Sequence, residues 1–339
     1  MSTRKVVVRE DVARYANVSP AVVSYVLNKG PKRVRPETEA RVLEAIRVLG
    51  YRPNAAARAL KLQSQEIFGL VLSTGGNALF VELANAIEDA ANALGFAVIN
   101  TNSRESAARE REHLRNLVNR RVDGIMLASV EAQPDISEVA RAGVPVLLLD
   151  NGGSIESVPS VGADLEAGAY DAVRHLIDHG HERIGMISGP PTDLSDGREA
   201  GWSRALAESG LPEGPLVPAT PKRFGGYKAA KRLLASGDGL TALFTSCDAQ
   251  GVGALRAVHE AGLRIPDDIA IVSFDGSTEA EFTWPGLSTM RQPVEQMAED
   301  AVAELLALRD GGRAPTHRTY PTTLQARGSC GCVDKDPLS

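Results

Sequence analysis

Cysteine is scarce in this chain of 339 residues: only Cys247, Cys330 and Cys332 occur. Three thiols so placed cannot make a disulfide framework, and a reducing, cytoplasmic setting is expected. Histidine is also scarce. The six imidazoles are scattered, without the nucleophile–base spacing of a hydrolase. Gly75-Gly76 lacks the Gly-x-Gly-x-x-Gly order of a dinucleotide site, and there is no phosphate loop ending in Lys-Ser/Thr. No motif therefore supports an enzyme. His179-Gly180-His181 has no third ligand nearby in sequence, so a helix end and turn is expected there, and neither a metal nor a cofactor. Cys330-Gly331-Cys332 offers two thiols for metal binding or redox sensing, but it falls in a tail from Gly328 that reads as flexible, which gives that alternative little support. No apolar run approaches the ~20 residues of a membrane helix, and the charged start shows no signal peptide. No membrane partner is expected.

What the chain does have is charge of opposite sign at its two ends. Residues 1–62 hold thirteen Lys/Arg against five Asp/Glu, a net of +8, in a chain whose total is −6. The remainder thus carries −14. A basic head on an acidic body is the asymmetry expected when one end meets phosphate.

The head reads as two short helices around a tight turn. Val12, Ala13 and Ala16 give the first an apolar face. Asn17 occupies the turn, where a left-handed residue is needed and Asn is tolerated. Ser19 is an N-cap and Pro20 stands at the first helical position. Val22, Val23, Val26 and Leu27 are expected inside. Ala21, Ser24, Tyr25 and Asn28 are left facing outward, on a surface suited to a DNA major groove. The loop Lys29–Arg35 holds Lys29, Lys32, Arg33 and Arg35, candidates for phosphate contact. A third helix follows from Pro36, with Val42, Leu43, Ile46 and Leu49 as its stripe and Gly50 as its end. Residues 53–62, with Asn54, Ala57 and Leu60, favour helix by propensity but are too short to be stable alone in water.

From Glu66 strands and helices alternate. Ile67–Leu72 is a continuous apolar run of the kind buried parallel strands show. The first half closes with Pro145–Leu149. A second begins near Val161, and a last strand is expected over Thr319–Gln325. Ligands in such sheets bind at strand C-terminal ends, where Asn77, Asp150, Arg198, Cys247, Asp248, Asp275 and Gln292 fall. Carboxylates and an arginine there suit a polyhydroxylated ligand, with Phe80, Phe224 or Trp284 available to cover an apolar ring face. Asp248 precedes a helix and reads better as its cap.

The run Asp11-Val12-Ala13, Val18-Ser19, Val23-Ser24, Val26-Leu27-Asn28, Val34-Arg35-Pro36 and Leu49–Ala55 resembles the head of the lac-repressor (LacI/GalR) family of bacterial transcription regulators, and the likeness extends more loosely to about residue 327. The resemblance implies an α/β chain with an N-terminal helix-turn-helix head and a hinge helix. A two-lobed, periplasmic-binding-protein-like core of two doubly wound parallel sheets follows, crossed three times by the chain. The expected boundaries are 1–52 for the head, 53–62 for the hinge and 63–327 for the body. Lobe 1 then spans 63–161 and 292–318, lobe 2 spans 162–291 and 319–327, and 328–339 is the tail. In the family the hinge enters the minor groove, which implies Leu60 as a wedge between central base pairs and Ala57 against base edges. Asp150, Arg198, Cys247 and Asp275 match effector-contacting positions, Cys247 replacing the Asn or Ser often found there. The implied function is operator binding by a homodimer on double-stranded DNA, modulated by a small-molecule effector of carbohydrate type. A solute-binding protein on the same lobes is the alternative. No leucine-heptad tail follows residue 327, so a dimer is expected.

Overall fold

The computed structural model describes residues 7–28, 34–52, 64–74, 76–149, 155, 157–190, 197–312 and 316–332. One unit ends at Gln65 and a second begins at Glu66.

The head is built from α1 (Arg9–Tyr15), α2 (Pro20–Asn28) and α3 (Pro36–Leu49). Asn17 takes the left-handed conformation, φ +52°, and Val18 N–H then donates to Ala13 O at 2.9 Å, closing α1. Ser19 Oγ accepts from Val22 N–H at 3.4 Å, the expected cap of α2. Gly50 ends α3 at φ +62°. Val12, Ala13, Ala16, Val23, Val42, Ala45 and Tyr51 form the core, with Val22, Val26, Leu27, Ile46 and Leu49 packed against it. The stripe of α3 differs at one position. Leu43 is half-exposed while Ala45 is fully buried, because positions 42, 45, 46 and 49 repeat at the three-to-four spacing of one helix face and 43 falls off it.

The body holds two six-stranded sheets. The first has the order β11-β5-β4-β3-β1-β2, from β1 (Ile67–Leu72), β2 (Ala97–Asn102), β3 (Gly124–Leu127), β4 (Val146–Leu149), β5 (Ser160–Ala163) and β11 (His317–Tyr320), all parallel. One face packs Phe68, Leu70 and Leu147 on α4 (Ala78–Ala93) and α12 (Val294–Arg309). The other packs Val71, Ile125 and Leu148 on α5 (Ala107–Asn119). A short α6 (Ser137–Arg141) precedes β4. Burial on both faces is why these strands read as unbroken apolar runs.

The second sheet has the order β12-β10-β9-β8-β6-β7. Its strands are β6 (Ile184–Ser188), β7 (Leu216–Pro218), β8 (Ala242–Thr245), β9 (Ala270–Asp275), β10 (Ser288–Arg291) and β12 (Thr323–Gln325), the last antiparallel. Met186, Phe244 and Val272 pack on α7 (Leu165–Asp178) and α8 (Arg198–Glu208). Ile187, Leu243 and Ile271 pack on α9 (Arg223–Ala235) and α10 (Asp248–Glu260). A single turn, α11 (Thr278–Glu281), follows β9.

The chain passes between the sheets after Ala163, after Arg291 and after Tyr320. Val161, in β5, pairs with Leu149 of β4 in the first sheet, where the lobe 1 bound of 161 puts it, so the second half opens only after Ala163. The stretch 319–325, expected as one strand, is two. β11 lies parallel to β5 in the first sheet and β12 antiparallel to β10 in the second. Pro321 separates them; it has no N–H to continue a ladder. The expected flexible tail is corrected for Gly328–Cys332. A 3₁₀ turn, Gly328–Cys330, buries Ser329 and Cys330, with Ser329 Oγ donating to Ile271 O at 2.6 Å and accepting from Ser288 N–H at 2.8 Å.

Candidate functional site

On the head, Ser19, the cap before α2, and Ala21 within it are exposed, with Ser24 and Tyr25 half-buried. Asn28 is the last residue of α2. Arg35 is exposed and immediately precedes α3 at Pro36. Lys32, Arg33, Asn54, Ala57 and Leu60 lie outside the described residues.

In the body, Asp275 is the hub. It ends β9, is 1% exposed, and takes φ +112°, backbone that favours glycine and is strained for aspartate. Its carboxylate accepts from Asn77 Nδ2 at 2.9 Å and from Gln292 Nε2 at 3.1 Å. The Arg198 guanidinium stands 3.6 Å away, itself 8% exposed and 4.6 Å above the Phe274 ring. Asn77 Oδ1 also caps α4, accepting from Leu79 N–H at 2.9 Å. Gln292 Oε1 is a buried acceptor with no hydrogen-bond partner among the described residues. Asn77 belongs to lobe 1, Arg198 and Asp275 to lobe 2, and Gln292 to the crossing between them.

Arg198 owes its position to the residues after it. Gly201 sits where a Cβ would fall 2.2 Å from Glu166 O, so its absence lets α8 lie directly on α7. Trp202, 3% exposed, donates from Nε1 to Ile184 O at 3.3 Å. Helix and guanidinium are thus fixed by packing.

Cys247 is 4% exposed and precedes α10. Burial, then the charge of Asp275, push its thiol well above the usual range, so it stays neutral. Asp248, expected as a cap, does something else. Its carboxylate accepts from Ser273 Oγ, from Thr289 Oγ1 at 2.7 Å, and from Ser277 N–H and Oγ at 2.7 and 2.8 Å. It ties β9, β10 and α11 together beneath the site. Gln250 does the same for other strand ends, donating to Ser188 O at 2.9 Å and Ala219 O at 3.1 Å. Two further bridges span the lobes: Glu82 Oε1 accepts from Thr278 N–H and Oγ1, both at 2.8 Å, and Lys222 Nζ lies 2.8 Å from Glu105 Oε1.

The aromatic candidates do not converge. Phe80 is buried in the lobe 1 core. Phe224 is 65% exposed, stacks on Tyr227 and lines a groove of 490 Å³ with Arg223, Val252 and Arg256, on the outer face of α9 and α10. Trp284 is 94% exposed. Asp150 lies outside the described residues.

Residues 10–54 match the model for bacterial regulatory proteins of the lacI family, and residues 173–330 match a periplasmic binding protein-like domain. Catabolite control protein A of Priestia megaterium is 36% identical over 289 residues, spanning 84% of this chain and 87% of that protein. The chain belongs to the LacI family. The transcriptional repressor PurR of Pectobacterium carotovorum subsp. carotovorum is 33% identical over 326 residues, 94% of this chain and 95% of its own length. Among solved structures, the lac repressor dimer bound to operator and an anti-inducer superposes with a TM-score of 0.84 at 28% identity, over 96% and 99% of the two chains. The transcriptional regulator CelR in complex with cellobiose gives 0.73 at 28% identity, over 95% and 99%. In this LacI-family member no described helix is long and apolar enough to cross a membrane.

Proposed function

We propose that this LacI-family chain is a cytoplasmic transcriptional repressor that grips a near-palindromic operator as a homodimer, and that a sugar or sugar derivative bound around Asp275 sets the strength of that grip. One observation carries the effector half: a buried carboxylate held by donors from both lobes, beside the unsatisfied acceptor of Gln292. Carboxylate and amide oxygens accept from sugar hydroxyls, and the guanidinium donates to them in a fixed fork. Hydroxyls entering between the lobes take over the bonds that Asn77 and Arg198 now make to Asp275. Ligand binding then changes the balance between lobe arrangements, and with it the pairing of two hinge helices on DNA. The shift is limited by the ligand's preference for one arrangement over the other.

The role is binding without turnover. The one thiol among the described residues of the cluster, Cys247, is held protonated by burial and by the charge of Asp275. The solved complexes of lac repressor with operator and of CelR with cellobiose support both halves of this reading. The test is a panel of mono- and disaccharides titrated calorimetrically into the full chain and into Arg198→Ala. At least one carbohydrate should bind the native chain, with the variant weakened roughly a hundredfold, the loss of a buried charged hydrogen-bond donor. Binding of no carbohydrate, with a non-carbohydrate metabolite bound instead, overturns the ligand class.

A further inference from the structure

A second cluster lies at the other end of lobe 2. Asp275 stands at the C-terminal end of β9, whereas Ile271, near its start, receives the hydrogen bond from Ser329. Here the 3₁₀ turn brings residues 330–332 against the last turn of α7. His175 and His179 lie one helical turn apart, their rings 4.5 Å between centroids. Cys330 and Cys332 come from the other side. His175 Nε2 is 3.2 Å from Cys330 Sγ and 3.7 Å from Cys332 Sγ, and His179 Nε2 is 3.6 Å from Cys332 Sγ. The ligand atoms of His175, Cys330 and Cys332 all fall within 4.8 Å of one another.

We propose that these four side chains form a structural zinc site, independent of the effector cleft. A tetrahedral zinc ion with Zn–S of about 2.3 Å and Zn–N of about 2.0–2.1 Å holds its sulfur and nitrogen ligands roughly 3.5 Å apart. The three sulfur–nitrogen separations bracket that value. Two thiolates neutralise the dication and two imidazoles complete a Cys2His2 shell, the two thiol protons passing to solvent.

The surrounding chain is shaped for it. Gly331 takes φ +92°, and its Cα hydrogens face His179, where a Cβ would lie 3.6 Å from Nδ1. That left-handed turn lets residues 330 and 332 point at the same helix. Arg327 Nη1 donates to Leu287 O at 2.7 Å, and Ser329 N–H to Gly286 O at 3.0 Å, so the segment is anchored before the first thiol. The ion would pin the Gly328–Cys330 turn to α7 and close the edge of lobe 2 where β12 ends the sheet. His181 is not part of the cluster; its Nδ1 pairs with Thr241 Oγ1 at 3.1 Å.

The experiment uses the full chain, untagged, purified under reductant and dialysed against metal-free buffer. The site predicts one zinc per chain by elemental analysis. After exchange, cobalt(II) should show the visible ligand-field bands of a tetrahedral thiolate site. Cys332→Ser and His175→Gln should lose the cobalt bands and retain less than a tenth of the metal, while His181→Asn keeps both. Cys332 is partly exposed, so its serine variant should fold. Chelation should lower the thermal midpoint of the native chain by several degrees and leave that of Cys332→Ser unmoved, since a ligand bound only by the folded state stabilises it by mass action. A reduced chain that holds no stoichiometric zinc and gives no tetrahedral cobalt spectrum overturns the proposal. So does a Cys330–Cys332 disulfide that, once reduced, still fails to take up metal.

Discussion

Asn77 and Asp275 are 198 residues apart in the chain and joined at 2.9 Å in the fold, one on each lobe. Their hydrogen bond crosses the cleft at its most buried point. The Thr278–Glu82 and Lys222–Glu105 bridges flank it at more exposed positions. Among the described residues the lobes are therefore latched by one dry contact and two wet ones, and the dry one should dominate.

Removing the hub measures that. Asp275→Ala leaves the Arg198 guanidinium buried without its carboxylate and Asn77 Nδ2 without its acceptor. Breaking a buried pair from one side costs about 3–5 kcal/mol. Urea unfolding of the body should report a loss of that size, and Asp275→Asn, which keeps an acceptor, a clearly smaller one. Equal losses would show that charge plays no part.

Gly201→Ala probes the helix contact behind Arg198. The added methyl carbon meets Glu166 O at 2.2 Å, backbone that cannot yield. α8 must lift from α7, at about 1–3 kcal/mol for an overpacked contact. Arg198 moves with it, so carbohydrate affinity should fall although no ligand-touching group has changed. Unaltered stability together with unaltered affinity would show that α8 has slack.

Much of this was legible in the chain, and the misses have a pattern. β1, β4 and β9 are apolar runs buried on both faces, which local composition reports directly. Asp275 is legible as the end of an apolar strand, and Arg198 from its likeness to the family's position, since it opens α8 and ends no strand. Asp248 was missed because its neighbours in sequence suggest a cap, whereas Ser273, Ser277 and Thr289, its partners in space, lie 25 to 41 residues on. Leu43 and Ala45 differ by two positions on a short helix: side-chain size points to Leu43, the three-to-four spacing to Ala45. Local strand propensity over 319–325 could not say that Tyr320 and Thr323 belong to different sheets. The thiols near the end looked isolated because their imidazole partners stand about 155 residues earlier. Phe224 has the chemistry to cover a sugar ring, but its helix turns it to the outer face.

Glu110 predicts a pH effect. It is 1% exposed, accepts from Ser129 Oγ at 2.8 Å and Val130 N–H at 2.9 Å, and burial holds its carboxyl above the ordinary range despite those bonds. The native state thus binds this proton more readily than the unfolded chain. Its contribution to stability falls as pH rises from the ordinary glutamate value through the raised native one. Glu110→Gln keeps an acceptor for Val130 and removes the titration. Paired urea titrations from pH 4.5 to pH 7 should show the variant gaining on the native chain as pH rises. A constant difference would contradict the burial cost.

Leu60 tests the hinge. If its side chain wedges between central base pairs, Leu60→Ala should weaken operator binding at least roughly tenfold, given that apolar wedges offset the cost of kinking DNA. Ligand affinity of the DNA-free protein should be unchanged. Equal operator affinity in fluorescence anisotropy would remove the hinge from the mechanism.

The most direct test of operator control by a dimer is selection of bound duplexes from a random DNA pool by the full chain, followed by sequencing. An operator-binding dimer should enrich a near-palindrome, its half-sites about one helical turn apart, with a flexible pyrimidine–purine step at the centre. No enriched motif, with weak binding that fades steeply as salt is raised, both with and without the carbohydrate that occupies the Asp275 cleft, would contradict operator control.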